Sequence, residues 1–133
     1  MIGARDTLRK HKIKATPQRL CVYAALRAVD THASVDTIYR TVKKKLPSIS
    51  LATVYTAVEH LKSKGLLREI KIDFERSLYE ARIDEHHHFL CKKCGQIFDI
   101  EMDPCPALKR KKVDDHAIDD FQGYFYGMCK HCR

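Results

Sequence analysis

Two CxxC knuckles constrain this chain more than any other feature: Cys91-Lys92-Lys93-Cys94, followed by Gly95, and Cys129-Lys130-His131-Cys132. Each knuckle is a tight turn that aims two sulfurs at one point, and two knuckles supply the four thiolates of a closed tetrahedral zinc site. The 34 residues between them exceed the spacing of a compact zinc ribbon. The site is therefore expected to tie the last residues back to the hairpin that carries the first knuckle. A redox dithiol pair is the alternative use of the same spacing. Cys21 and Cys105 lie outside the pattern, and Cys21 falls on an apolar helix face where a buried, inert thiol is expected.

No stretch approaches the roughly 20 apolar residues that span a bilayer, and Met1 to Asp6 lacks the apolar segment of a secretory signal. The expected setting is the cytoplasm, where cysteines serve as ligands or buried thiols rather than as a disulfide framework. The 133 residues make one ordinary domain or two very small ones. Net charge is +8, and it is uneven: residues 1–82 hold 17 Lys and Arg against 8 Asp and Glu, whereas residues 83–133 hold 8 against 9. A basic first part calls for an anionic partner.

Thr16-Pro17 joins an N-cap hydroxyl to the proline favoured at a helix start, and a short helix over about Ile2 to His11 is expected before it. Leu20, Val22, Tyr23, Ala24, Leu26 and Val29 recur at helical spacing and form the inner stripe of a second helix. Ser34 caps a third, with Val35, Ile38, Tyr39 and Val42 inward, lysines 43–45 at its C-terminal end and Pro47 as its stop. Ser50 caps a fourth, with Leu51, Val54, Val58 and Leu61 inward and Lys64-Gly65 as its C-cap. Leu66 to Ile72 and Ser77 to Ile83, flanking Asp73 to Arg76, predict a β-hairpin.

Helices followed by a hairpin, in about 80 basic residues, are the pattern of a winged helix-turn-helix. The expected fold class is α+β: a winged-helix DNA-binding domain over 1–83, a hinge at Asp84-Glu85, and a small α/β metal-binding and dimerisation domain over 84–133. In the second domain, His86 to Cys91 and Gln96 to Glu101 predict strands around the Cys94-Gly95 turn. Pro106 to about Ala117 predicts a helix, and Phe121 to Cys129 a last strand. So small a unit needs a metal or a second copy to supplement its core.

On a strand, His86 and His88 share one face and His87 takes the other, while Asp99 and Glu101 share a face across the turn. Imidazoles beside a carboxylate make a mixed nitrogen and oxygen site suited to iron(II), manganese(II) or zinc(II). A solvated polar strand with a histidine run is the alternative. The fourth helix offers Ser50, Thr53, Tyr55 and Thr56 for phosphate or base-edge contacts, with Lys62, Lys64 and Arg76 placed for the backbone. Hydroxyls at a helix start also serve simply as caps, and Tyr55 equally as a packing aromatic.

With these residues laid out, the chain resembles the ferric uptake regulator (Fur) family over essentially all of residues 1–133. The carriers are Ala15-Thr16-Pro17-Gln18-Arg19, Ser50-Leu51-Ala52-Thr53-Val54-Tyr55, the His86-His87-His88 run shortly before the first knuckle, and the closing knuckle. The resemblance implies a homodimer that places two winged helices on a palindromic duplex, with Arg19, Ser50, Thr53, Tyr55 and Thr56 at the DNA. It implies structural zinc on Cys91, Cys94, Cys129 and Cys132, and a regulatory metal on His32, Glu80, His86, His88 and Asp99. Such a metal fixes the angle between domains, so metal binding and DNA binding are reciprocally coupled. The chain is then expected to be a switch and not an enzyme.

The family's haem-responsive branch typically lacks the knuckles present here. Asp99 resembles the last ligand of peroxide sensors of the PerR type, whereas Glu80 resembles iron-uptake regulators. Phe121 stands where a late histidine would complete, with Glu85 and His87, a further metal site of those regulators. The resemblance thus implies a peroxide-sensing repressor in which bound iron(II) leads to oxidation of His32 or His86, while manganese(II) supports DNA binding but responds poorly. An iron- or other metal-responsive repressor without peroxide sensing is the alternative. From other classes come a zinc-stapled module binding RNA or an acidic protein, and a redox enzyme using its CxxC thiols.

Overall fold

Hydroxyl caps start three of the four helices in the computed structural model, which describes residues 3–28, 32–73, 75–84, 86–103 and 106–133. Helix α1 spans Ala4–Lys10, shorter than expected, with Ile2 outside the described residues. Helix α2, Pro17–Ala28, follows Thr16, whose Oγ1 accepts the Arg19 N–H at 3.2 Å. Helix α3, Val35–Lys43, and helix α4, Leu51–Ser63, open on Ser34 and Ser50, which accept the N–H of Thr37 at 3.3 Å and of Thr53 at 3.1 Å. Each cap satisfies one of the amide donors that a helix start leaves over.

Helices α2, α3 and α4 pack pairwise around Val22, Tyr23, Leu26, Ile38, Val42, Val54, Val58 and Leu61. Two members of the expected stripes differ. Ala24 is exposed, and Ala25 packs against the core in its place. Leu51 is 45% exposed, and Ala57 takes a buried position on α4 instead. Val29 lies outside the described residues.

Gly65, at φ +78°, ends α4 in the left-handed conformation that glycine adopts without strain. Strand β1, Arg68–Asp73, pairs antiparallel with β2, Arg76–Glu80, in the register Arg68 opposite Glu80, Glu69 opposite Tyr79 and Ile70 opposite Leu78. Both strands are shorter than expected. Leu66 and Leu67 join the helical core ahead of β1 instead of the ladder. Ala33 and Tyr79 exchange backbone hydrogen bonds of 3.0 and 2.8 Å, which fastens the segment before α3 to β2.

These elements make up the first of two compact units, Met1–Ile83; the second is Asp84–Arg133. The second is built on a three-stranded sheet with β3, His87–Cys91, at its centre. Strand β4, Ile97–Ile100, pairs antiparallel with β3, placing His88 opposite Asp99. The expected helix from Pro106 to Ala117 is replaced by a 3-10 turn, Pro106–Lys109, and a small hairpin of β5, Lys112–Val113, and β6, His116–Ala117. Asp114 and Asp115 turn this hairpin at φ 50° and 65°, a left-handed pair that aspartate tolerates and a helix forbids. Strand β7 covers only Tyr124–Gly127 of the expected Phe121 to Cys129 and runs parallel to β3.

Among the described residues, every buried apolar side chain belongs to residues 8–79 except Cys91 and Cys129. No described helix is long and apolar enough to cross a membrane.

Candidate metal centres and nucleic-acid interface

The first knuckle begins at the last residue of β3 and turns through Gly95, at φ +75°, before β4. The second follows β7, whose parallel pairing sets Gly127 beside Cys91 and lets the Lys92 N–H reach the Gly127 carbonyl at 2.7 Å. The four sulfurs of Cys91, Cys94, Cys129 and Cys132 consequently lie within 4.8 Å of one another, with Cys94 Sγ 3.9 Å from Cys129 Sγ. Tetrahedral zinc with bonds of about 2.3 Å puts its sulfurs about 3.8 Å apart, so the donor set fits that ion.

The backbone N–H groups of Cys94 and Cys129, each 3.4 Å from Cys91 Sγ, draw the Cys91 thiol down to about 6. Cys132 is pushed up to about 12, first by its hydrogen bond with Cys129 and then by burial. Cys91 is thus the readier of the two to give up its proton, and any thiol still protonated releases its proton as metal binds. The N–H groups that lower the Cys91 thiol also orient its sulfur for coordination.

The mixed-ligand residues form a pair in the first unit and a trio in the second. In the first, His32 Nε2 lies 3.1 Å from Glu80 Oε2, both side chains almost entirely buried. The Ala33–Tyr79 backbone pair brings these neighbours together. In the second, His86 Nε2 and His88 Nε2 approach the same oxygen, Asp99 Oδ1, at 3.3 and 3.4 Å. His86 Nδ1 donates to the Asp84 carbonyl at 2.7 Å, which fixes the ring and leaves Nε2 as the ligating atom. Ligand bonds of about 2.1 Å place neighbouring donors about 3.0 to 3.5 Å apart, and each group fits that spacing on its own.

All three histidines of the run are buried, which overturns the solvated-strand alternative. His87 faces Phe125 edge-on at 5.8 Å, and a Cβ on Gly123 would stand 2.7 Å from its Nδ1. Glu101, expected on the Asp99 face, lies beyond the end of β4 and is exposed.

On the first unit, Arg19, Thr53 and Thr56 line one groove together with Thr16, Gln18, Ala52 and Ala57. The start of α2 and the outer face of α4 thereby present hydroxyl, amide and guanidinium groups side by side. Ser50 is exposed at the tip of α4, and Tyr55, 53% exposed, lines a second groove with Glu59, Lys62, Glu69, Arg76 and Tyr79. Lys62 is held by Glu69 at 2.6 Å and Arg76 by Asp73 at 2.8 Å, so these two cations are engaged within the unit. Lys64 is exposed. Thr16 and Gln18 were not among the expected DNA-facing residues, although the Pro17 helix start placed them beside Arg19.

A model of the ferric uptake regulator family matches residues 10–122. The chain is 30% identical over 129 residues to the peroxide-responsive repressor PerR of Staphylococcus epidermidis, spanning 96% of this chain and 86% of that protein. Among solved structures, it is similar to the Campylobacter jejuni peroxide stress regulator, 36% identical with a TM-score of 0.71 over 96% of this chain and 97% of that one. It is also similar to the ferric uptake regulator of Francisella tularensis with iron, 27% identical with a TM-score of 0.71 over 91% and 95% of the two chains. A family match over most of the chain, joined to a winged α+β fold and a four-cysteine cluster, places the protein: it belongs to the ferric uptake regulator family of metal-dependent transcription regulators.

Proposed function

We propose that the protein is a homodimeric, cytoplasmic repressor that binds a palindromic DNA operator when loaded with a regulatory metal and releases it on exposure to hydrogen peroxide. In this reading residues 1–83 are the DNA-binding domain and residues 84–133 the metal-binding and dimerisation domain. Zinc is structural on Cys91, Cys94, Cys129 and Cys132. Iron(II) or manganese(II) is held by His32, Glu80, His86, His88 and Asp99, so that one ion joins ligands from both domains. The carrying observation is the trio in which the buried His86 and His88 converge on one oxygen of the half-buried Asp99.

Bound iron(II) supplies the redox chemistry by which one oxygen of peroxide is transferred to a ligand imidazole while the other leaves as water. His32 and His86 are the rings assigned to receive that oxygen. An oxidised ring donates poorly, and either loss removes a ligand from one side of the clamp. Arg19, Ser50, Thr53, Tyr55 and Thr56 then lose the geometry that lets two copies engage paired half-sites. The likeness to a peroxide-responsive repressor and to a peroxide stress regulator supports this reading.

Glu80 favours a second reading, a repressor that responds to iron itself and not to peroxide. Peptide mass mapping of anaerobically iron(II)-loaded protein, before and after a small dose of peroxide, decides between them. Gain of one oxygen on the His32 or His86 peptide, absent from manganese(II)-loaded protein, is expected. Unmodified histidines would overturn peroxide sensing and favour an iron- or other metal-responsive repressor.

A further inference from the structure

Tyr79 stands at the junction of the two features on which the proposed function depends. On one side, its backbone exchanges both hydrogen bonds with Ala33, so that the flanking residues, His32 and Glu80, hold their side chains 3.1 Å apart. On the other, its fully buried side chain crosses to α4, where the hydroxyl donates to Glu59 Oε1 at 3.2 Å. Glu59 lies one helical turn beyond Tyr55 and Thr56 on the helix assigned to DNA.

A second tie reinforces the first. Glu69 is the register partner of Tyr79 on β1 and accepts from Lys62 at 2.6 Å, and Lys62 also lies 3.7 Å from Glu59. Glu59, Lys62, Glu69 and Tyr79 thus form one closed ring of contacts between α4 and the hairpin. Of the four, only Tyr79 is adjacent in the chain to a metal-site residue. A phenylalanine would fill the same buried volume, so the hydroxyl is not required for packing; what it adds is the bond to Glu59.

We infer that Tyr79 is a positioning residue, whose hydroxyl bond to Glu59 relays the liganded state of His32 and Glu80 to the seat of helix α4. This rests on the reading that His32 and Glu80 hold the regulatory metal and that α4 contacts DNA. Two sites become coupled when both bias one shared element, and here that element is the β2–α4 junction.

The test measures how many-fold manganese(II) tightens binding to a duplex enriched from a random-sequence pool by the manganese-loaded wild-type protein. Tyr79→Phe is expected to bind manganese(II) at wild-type stoichiometry while this tightening falls about five-fold, the worth of one intramolecular hydrogen bond. Glu59→Gln, which keeps an oxygen able to accept the same hydroxyl, retains more of the tightening than Glu59→Ala. Unchanged tightening in Tyr79→Phe overturns the relay. Parallel loss of affinity with and without metal also overturns it, since that is the signature of a purely structural role. If the wild-type protein itself shows no metal-dependent tightening, the functional reading fails first and the relay with it.

Discussion

The two units solve the same problem by different means. Residues 3–83 bury Val22, Val42, Val54, Val58 and Leu61 completely, and their helices close on an apolar core. The described residues of 84–133 bury, by contrast, two cysteines and three histidines and leave Phe125, Tyr126 and Met128 about half exposed. Apolar burial is non-directional and tolerates substitution, whereas a cluster of ligand atoms is all or nothing. The basic unit is therefore expected to be ordered with or without metal, and the second to depend on its four sulfurs.

The sharpest way to break this contrast is Cys91→Ser. Loss of bound zinc by elemental analysis, of the dimer by light scattering and of protease resistance over 84–133 is expected, with a protected fragment over the first unit remaining. A stable dimer with normal melting would refute the zinc assignment. Leu61→Ala should do the reverse, costing about 2 to 5 kcal/mol in denaturant unfolding of the first unit, with zinc stoichiometry unchanged.

Gly123→Ala probes the polar interior directly, because the new Cβ would meet His87 Nδ1 at 2.7 Å. A loss of about 1 to 3 kcal/mol, the usual cost of overpacking, is expected from faster hydrogen exchange in β3. The smallest effect concerns the surface of the first unit. Burial raises the Glu69 carboxyl, but the hydrogen bonds from Lys62 and Ser77 together with the charges of Lys62 and Lys71 leave it below its ordinary 4.5, and Glu69 holds Lys62 above its ordinary 10.5. A depressed acid stabilises above its unfolded value and a raised base below its own. The pair thus contributes between about 4.5 and 10.5. Its contribution falls away outside those limits, and Glu69→Gln should flatten both shoulders of a melting-temperature profile against pH.

The same contrast explains what the sequence disclosed. Ser34, Ser50 and the stripe Val54, Val58, Leu61 are local signals, and the helices they specify stand where expected. The knuckles and the grouping of His86 and His88 with Asp99 were legible from residue type and spacing. The helix expected after Pro106 failed because an alternative local signal, two successive aspartates able to turn left-handed, prevailed over a run with no apolar stripe. Burial of His87 was hidden because it depends on β7, which reaches β3 from more than thirty residues away. Glu59 and Tyr79, twenty residues apart, carried no local mark of their bond.

The parallel pairing of β7 with β3 also sets an order of events. Joining the knuckles closes a loop of 34 residues, an entropic cost that comes before the long-range contacts that offset it. During synthesis the first unit is complete in sequence before the second knuckle emerges, so its helices can collapse while β3 still lacks a partner. The second unit then waits on an encounter with an ion. Availability of zinc, and not the chain's own folding rate, should govern how fast newly made protein matures.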